Sequence, residues 1–468
     1  MTFKLQILHA SDLEGGVDAI QSAPNFAAIE QALEQDAKNG GFASITLSAG
    51  DNYLTGPFFN AASDATVFNP LFEGFYNEQF GLINVALLNE ANGEGNAVDT
   101  DGNGFFDNGE INAFLNNAAL NTQGLSATDI YVKDVNGDGF VDYFDELDNF
   151  QGRVDIGIIN AIGFDASALG NHEFDLGTDT LENIIERDLA ESNSLSSTNL
   201  SAVLAAQPGH VNFLQEVDHV GAQFAYLSSN LDFSNDPEVS NLFTGEILSR
   251  DEFTLDLSTA RADANNPRAT GSNSSQDVIA PSTFIEVPID GVDPANGVER
   301  IGIIGATTPL LEAISSPGGI RVLPTSDSII ELAAIINAEV ARLEALGINK
   351  IVLVSHLQQF SLENEQLAPL LNNVDIIIAG GSDTISADAE DVARGLQPGD
   401  EAEQPYPSIV TGADGSPTAI VSTNGEYSYV GRLVIEFDDN GNIIPESVNP
   451  NVSGTFATTD AGVAALYN

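Results

Sequence analysis

At 468 residues and 43% hydrophobic content, the chain is long enough for one large domain or two or three smaller ones, with apolar material for a full core. Its 14 basic residues stand against 69 acidic ones, a net charge of −55. That balance excludes the basic surface that non-specific nucleic-acid or anionic-membrane binding requires, and it suits a salt-rich or calcium-rich exterior. Cys is absent, so disulfide and thiolate chemistry are excluded, and no apolar run reaches membrane-spanning length.

Residues 1–60 read as strand, helix, strand. An apolar run at 5–10 leads into Asp12 and Glu14. A helix is expected at 25–36, with Phe26, Ile29 and Leu33 on one face. A second run at 43–49 leads into Gly50-Asp51, followed by a loop at 52–57 able to wall a site. His9 lies inside the first strand and reads as a packed or supporting residue, because Asp12 and Glu14 hold the better positions for ligands. No cleavable leader pattern precedes this strand, which leaves a removed leader, another export signal or no export as alternatives.

Residues 75–152 break the pattern. Asp99, Asp101, Asn103, Phe105, Asp107 and Glu110 fall at every ligand position of an EF-hand loop, with Gly104 at its turn. A second copy places Asp134, Asn136, Asp138, Phe140, Asp142 and Asp145 in the same way, ending in the shorter Asp where Glu is usual. A calcium-binding insert of EF-hand or dockerin-like loops is therefore expected here.

The apolar, small-residue run at 162–169 reads as a strand. It leads into Gly170-Asn171-His172-Glu173-Phe174-Asp175, and the amphipathic stretch at 181–189 reads as the helix that follows. Residues 224–227 form another strand candidate, ending in Ser228-Ser229-Asn230; Asn230 reads as a loop residue that could line the site. His210 and His219 have no partners at ligand spacing and read as surface residues, and 234–280 reads as a long surface excursion. Strands at 299–307 and 350–356 flank a helix at 328–346. The second of these ends in Ser355-His356, and the run at 374–379 ends in Gly380-Gly381-Ser382-Asp383. Residues 387–407 read as an acidic loop, and a helix start is expected at 459–467 after a polar stretch.

Helices alternating with strands imply βαβ units and a mostly parallel sheet. One Asp after a strand is an ordinary turn former. Five strand-like runs that each end in an oxygen or imidazole ligand are what a metal centre assembled across one sheet edge needs.

Asp12-Leu13-Glu14, Gly50-Asp51, Gly170-Asn171-His172-Glu173, His356 and Gly380-Gly381-Ser382-Asp383, in that order, resemble the motifs of the calcineurin-like metallophosphoesterases, in their 5′-nucleotidase branch. Residues 421–437, with Tyr429-Val430-Gly431-Arg432-Leu433, resemble the strands closing that family's catalytic domain. The resemblance implies an α/β, four-layer α-β-β-α sandwich over residues 1–441, interrupted by the 75–152 insert, with 442–468 leading toward a second domain. It implies two divalent ions, the first on Asp12, Glu14, Asp51 and Asp383, the second on Asp51, Asn171 and His356. His172 would be general acid or transition-state stabiliser, oriented by Asp175. Glu14 and Asp383 stand where the family has His, and Gly381 stands where another His ligand would be. Oxygen for nitrogen shifts the expected ions toward calcium, manganese or magnesium and away from a zinc pair, while His356 and Asn171 keep a mixed centre open. The implied activity is hydrolysis of a small phosphate ester, extracellular or periplasmic. A disabled scaffold acting as a calcium-binding surface protein, and another metal-dependent hydrolase, are the alternatives.

Overall fold

The computed structural model describes residues 2–61, 113, 116–117, 119, 151–186, 221–254 and 277–467. Both candidate calcium loops, His210 and His219 lie outside the described residues. Two sheets form the centre. The first runs β16 (Ile443–Ile444), β15 (Tyr429–Phe437), β1 (Phe3–Ala10), β2 (Ala43–Ser48), β3 (Ala166–Ala168), β4 (Ala225–Leu227) and β7 (Ile279–Ala280), with β17 (Gly454–Ala457) also on β15. The second runs β13 (Ser408–Thr411), β14 (Pro417–Val421), β12 (Ile376–Gly380), β11 (Ile351–His356), β9 (Val298–Thr307), β8 (Ser282–Pro288) and β6 (Leu248–Ser249). A two-stranded ribbon joins β5 (Leu231–Asp232) to β10 (Arg321–Val322). Pairing is parallel from β1 through β7 in the first sheet and between β9, β11, β12 and β14 in the second.

Alternation along the strands explains the layering. Leu5 and Ile7 of β1 meet Val352 and Val354 of β11 and Ile376 and Ile378 of β12 in one cluster between the sheets. Their neighbours point the other way. Leu8 and Ala10 face α1 (Ala19–Gly40), through Phe26, Ile29 and Leu33, together with α2 (Arg153–Ile162) and α3 (Thr178–Ile185). Ile351, Leu353 and Ile377 face Leu332, Ile336, Val340 and Leu343 of α4 (Ile329–Ala345). Strands covered on both faces read as continuous apolar runs, which is how these appear in sequence. The expected α-β-β-α order is the one found.

The differences are local. The first helix is longer than 25–36, ending where Gly41 takes φ 70. The 162–169 run starts as the end of α2; Gly163, at φ 95, stops that helix, and only Ala166–Ala168 is strand. Within 387–407 a short helix, Ala389–Arg394, forms because Asp388 and Asp391 build a capping box. Past residue 441 the chain stays in the same layers: β16 and β17 pair with β15, and α5 (Asp460–Tyr467) reaches α1, where the Tyr467 hydroxyl donates to Ala28 O at 2.9 Å.

The carboxyl ends of both sheets are pinned together. Ser11 Oγ donates to Ala379 O at 2.7 Å, joining β1 to β12. Thr307 Oγ1 donates to Leu169 O at 2.7 Å, joining β9 to the end of β3. Loops leaving either sheet therefore open onto one shared edge.

Candidate metal centre

Four of the five strand ends pass through an unusual turn. Among the described residues, eight non-glycine residues have positive φ; Glu14 (39), Asp51 (46), Gln358 (72) and Asp383 (50) are four of them, all on this edge. Strained backbone concentrates where side-chain placement matters more than local comfort. Gly170 allows the closest approach, since a Cβ there would sit 2.1 Å from Asp51 Oδ1.

Asp51 is at the centre, 3% exposed. Its Oδ1 accepts from His172 N at 2.8 Å, and its Oδ2 lies 3.0 Å from His356 Nε2 and 4.0 Å from His172 Nε2. His356, fully buried, places Nδ1 2.9 Å from Ala49 O. In the neutral ring, with Nδ1–H donating to that carbonyl, Nε2 would turn its lone pair toward Asp51 and, at 3.1 Å, Asn171 Oδ1. Asp12, 2% exposed, accepts from Gly381 N at 2.8 and 3.0 Å and lies 3.4 Å from His356 Nδ1. Glu14 sits further out, with Oε1 3.8 Å from His172 Nε2, and its backbone N–H donates to Asp51 O at 2.8 Å. Asp383 is exposed at the rim.

Ligand atoms fall into two groups that share Asp51: Asp12, Asp51 and His356, and Glu14, Asp51 and His172. The expected first ligand set is thus divided, with Asp12 on the His356 side, Glu14 on the His172 side and Asp383 in neither group. A lone pair surrounded by acceptor oxygens, beside carboxylates in excess of local positive charge, fits a cation. The same excess appears in the titration behaviour. Burial, with Asp383 and Asp51 adding, pushes Glu14 up to about 7. Burial also raises Asp12 well above the carboxylate range, although His356 opposes it. For His356 burial works the other way, yet Asp51 and Asp12 hold its imidazolium up to about 10. Asp51 itself is lowered, because His356 and His172 outweigh its burial.

His172 is half-buried, with Nδ1 2.5 Å from Asp175 Oδ2. Ser315 Oγ donates to the other Asp175 oxygen at 3.0 Å. Burial lowers the affinity of His172 for a proton, but Asp51, Asp175 and Glu14 together raise it above the ordinary range. Beyond Glu14 and Asp383 a cleft of about 700 Å³ opens, lined also by Asp18, Asp400, Glu426 and Asp460, with no Lys or Arg among the described residues on its walls.

Two other histidine and asparagine candidates stay outside. His9 is buried with Nε2 2.9 Å from the Tyr406 hydroxyl, a packed residue. Asn230 is a buried staple: it donates to Thr307 O and Leu323 O and accepts from Thr307 N. Two residues had no assigned role. Glu173, 1% exposed, accepts from Gly170 N and Asn52 N at 2.7 Å each and from Asp51 N at 3.2 Å, clamping two site loops. Gln358 donates to Asn171 Oδ1. The signal it offers in sequence is its place two residues after His356.

No family model matches the chain. The 5′-nucleotidase of Gloydius brevicauda venom is 27% identical over 320 residues, covering 68% of this chain and 39% of that protein. The human 5′-nucleotidase is 30% identical over 172 residues, 37% of this chain and 28% of that protein. A solved 5′-nucleotidase precursor from Thermus thermophilus is 18% identical, covering 99% of this chain and 58% of the other, at a TM-score of 0.48. The chain thus spans well under half the length of the curated relatives it matches. In sequence the chain is thus similar to 5′-nucleotidases, the branch of the calcineurin-like metallophosphoesterases that its strand-end motifs resemble.

Proposed function

We propose that the chain is a metal-dependent phosphoric ester hydrolase, a phosphomonoesterase of alkaline-phosphatase or 5′-nucleotidase type. The observation that carries this is the His172–Asp175 pair, held at 2.5 Å, with Nε2 aimed at Glu14 and Asp51 of the cation-fitting cluster. Asp12, Asp51, Asn171 and His356 would hold one ion, and Glu14 with Asp51, joined by Asp383 at the rim, the other. When bound, divalent ions neutralise phosphoryl charge and activate water for attack.

The chain's own groups do the rest. Asp175 accepts from His172 Nδ1–H, which fixes the ring and leaves Nε2 toward the site. Ser315 holds Asp175 in turn. An imidazole with a raised proton affinity can stabilise charge on the phosphoryl oxygens or give its Nε2 proton to the leaving oxygen. Glu173 fixes the loops carrying Asp51 and Asn171 without facing substrate.

Oxygen-rich ligands favour calcium, manganese or magnesium over a zinc pair, and calcium lowers the pKa of water less than zinc does, so alkaline operation is expected. The acidic cleft favours a monoester with an uncharged leaving group over a polyphosphate chain. Extracellular or periplasmic location and a calcium role for the two EF-hand-like loops complete the reading; chelation should then lower thermal stability, and a melting curve indifferent to chelator would count against those loops. Gly381, which offers no side-chain ligand, is the observation favouring a disabled scaffold. A substrate panel decides. Turnover of a chromogenic monoester or a nucleoside monophosphate well above that of pyrophosphate is expected, and no turnover of any ester with metals present supports the disabled scaffold.

A further inference from the structure

Gly381 leaves a position on the His356 side of the site without a side chain, and the neighbouring chain fills it. A Cβ built on Gly381 would lie 2.7 Å from Gln358 Nε2 and 2.8 Å from His356 Nε2. The Gln358 amide therefore occupies the space that a side chain at 381 would enter. Gln358 reaches it through a left-handed backbone, φ 72, a conformation uncommon for a side chain of this kind. Its amide contacts Asn171 Oδ1, which faces His356 Nε2 at 3.1 Å, while Asp51 Oδ2 lies 3.0 Å from the same nitrogen. Four groups from three separate strand ends thus converge. Spacings of about 3 Å between neighbouring donors are those of ligands around one ion at about 2.1 Å.

Given the metal centre proposed for this site, we propose that Gln358 is a ligand of the ion held by Asp12, Asp51, Asn171 and His356, supplying what Gly381 lacks. An amide carries a donor and an acceptor on one planar group, and turning it by half a revolution exchanges them. The turned amide points Oε1 where Nε2 now points, and Asn171 Oδ1 and Gln358 Oε1 then face the ion together instead of each other. Amide oxygens are ligands for hard cations. The consequence is chemical as well as geometric. An amide oxygen in place of an imidazole makes this half of the centre four oxygens and one nitrogen, which moves it toward manganese, magnesium or calcium.

The test uses the full chain, stripped of metal and titrated with Mn²⁺, the bound ion followed by electron paramagnetic resonance. Gln358→Ala should weaken binding of one ion by about tenfold or more. Gln358→Glu, which keeps a ligand oxygen but cannot donate to Asn171, should hold that ion within a few-fold of the parent. Unchanged Mn²⁺ binding in Gln358→Ala overturns the proposal. So does a Gln358→Glu protein as weak as Gln358→Ala, because only the hydrogen bond to Asn171 would then matter. His356→Ala separates the two levels. If it too binds Mn²⁺ like the parent, the metal-centre reading falls with Gln358; if it alone is weakened, only the role of Gln358 falls.

Discussion

The two halves of the site are built differently although they share Asp51. On the inner side, Asp12, Asn171 and His356 are buried, and each is held by backbone or a fixed polar partner. On the outer side, Glu14 is part-exposed and Asp383 is exposed, at the mouth of an acidic cleft. The inner half mixes nitrogen and oxygen, with His356 balancing the carboxylates. Among the described residues the outer half has His172 as its close counter-charge, and Asp175 competes for it. Rigid placement and charge balance thus belong to the inner half, while repulsion awaiting a cation belongs to the outer half.

Asp51 is where the comparison breaks most completely, since it serves both halves. Asp51→Asn should lower monoester turnover by about 10⁴-fold and weaken both ions, with the fold intact by circular dichroism. Retained binding of one ion at full strength would show that the halves do not share this carboxylate.

His172 belongs to the outer half by position but is assigned no ion. His172→Ala should lower kcat by about 10²–10⁴-fold with metal content nearly unchanged. Undiminished turnover would remove it from the chemistry. A loss of metal matching the loss of rate would make it a ligand instead.

The smallest effect separates the halves by pH in metal-free protein. Glu14 is raised to about 7, above its unfolded value near 4.5, so its contribution to stability is full at low pH and lost as pH rises through 7. His356 is raised from 6.5 to about 10, so the contribution of its pairing with Asp51 is full below pH 6.5 and is lost only as pH rises from there through 10. Metal-free protein should therefore lose stability between about pH 4.5 and 7 through the outer half, roughly 1–2 kcal/mol after allowance for partial exposure. Glu14→Gln, or added divalent ion, should flatten that part of the profile. A decline of the same size in Glu14→Gln would place the repulsion elsewhere.

Much of this was legible in sequence because parallel strands covered on both faces are continuous apolar runs with polar ends. The runs at 5–10, 43–49, 351–354 and 374–379 mark β1, β2, β11 and β12 to within two residues at either end. The β3 run was less clear, since Ile162 belongs to a helix and only three residues are strand. What local pattern could not carry was tertiary. Asp12 and Glu14 are neighbours in sequence, yet they fall on different sides of Asp51. Gln358 belongs to none of the strand-end motifs, and only the space beside Gly381 gives it a role. The strands after residue 441 are two and four residues long and lie at the edge of β15, too short for their pattern to stand out.

The central claim is that divalent ions, held across both halves of this edge, drive phosphate ester hydrolysis. The most direct measurement strips the protein with chelator, confirms that it remains folded, and restores calcium, manganese, magnesium and zinc singly and in pairs while following a chromogenic phosphate monoester. Turnover should vanish on stripping and return with calcium, manganese or magnesium, alone or beside one transition metal. Full activity with zinc alone and no gain from calcium would contradict the oxygen-for-nitrogen argument, and turnover that survives stripping would contradict the metal centre itself.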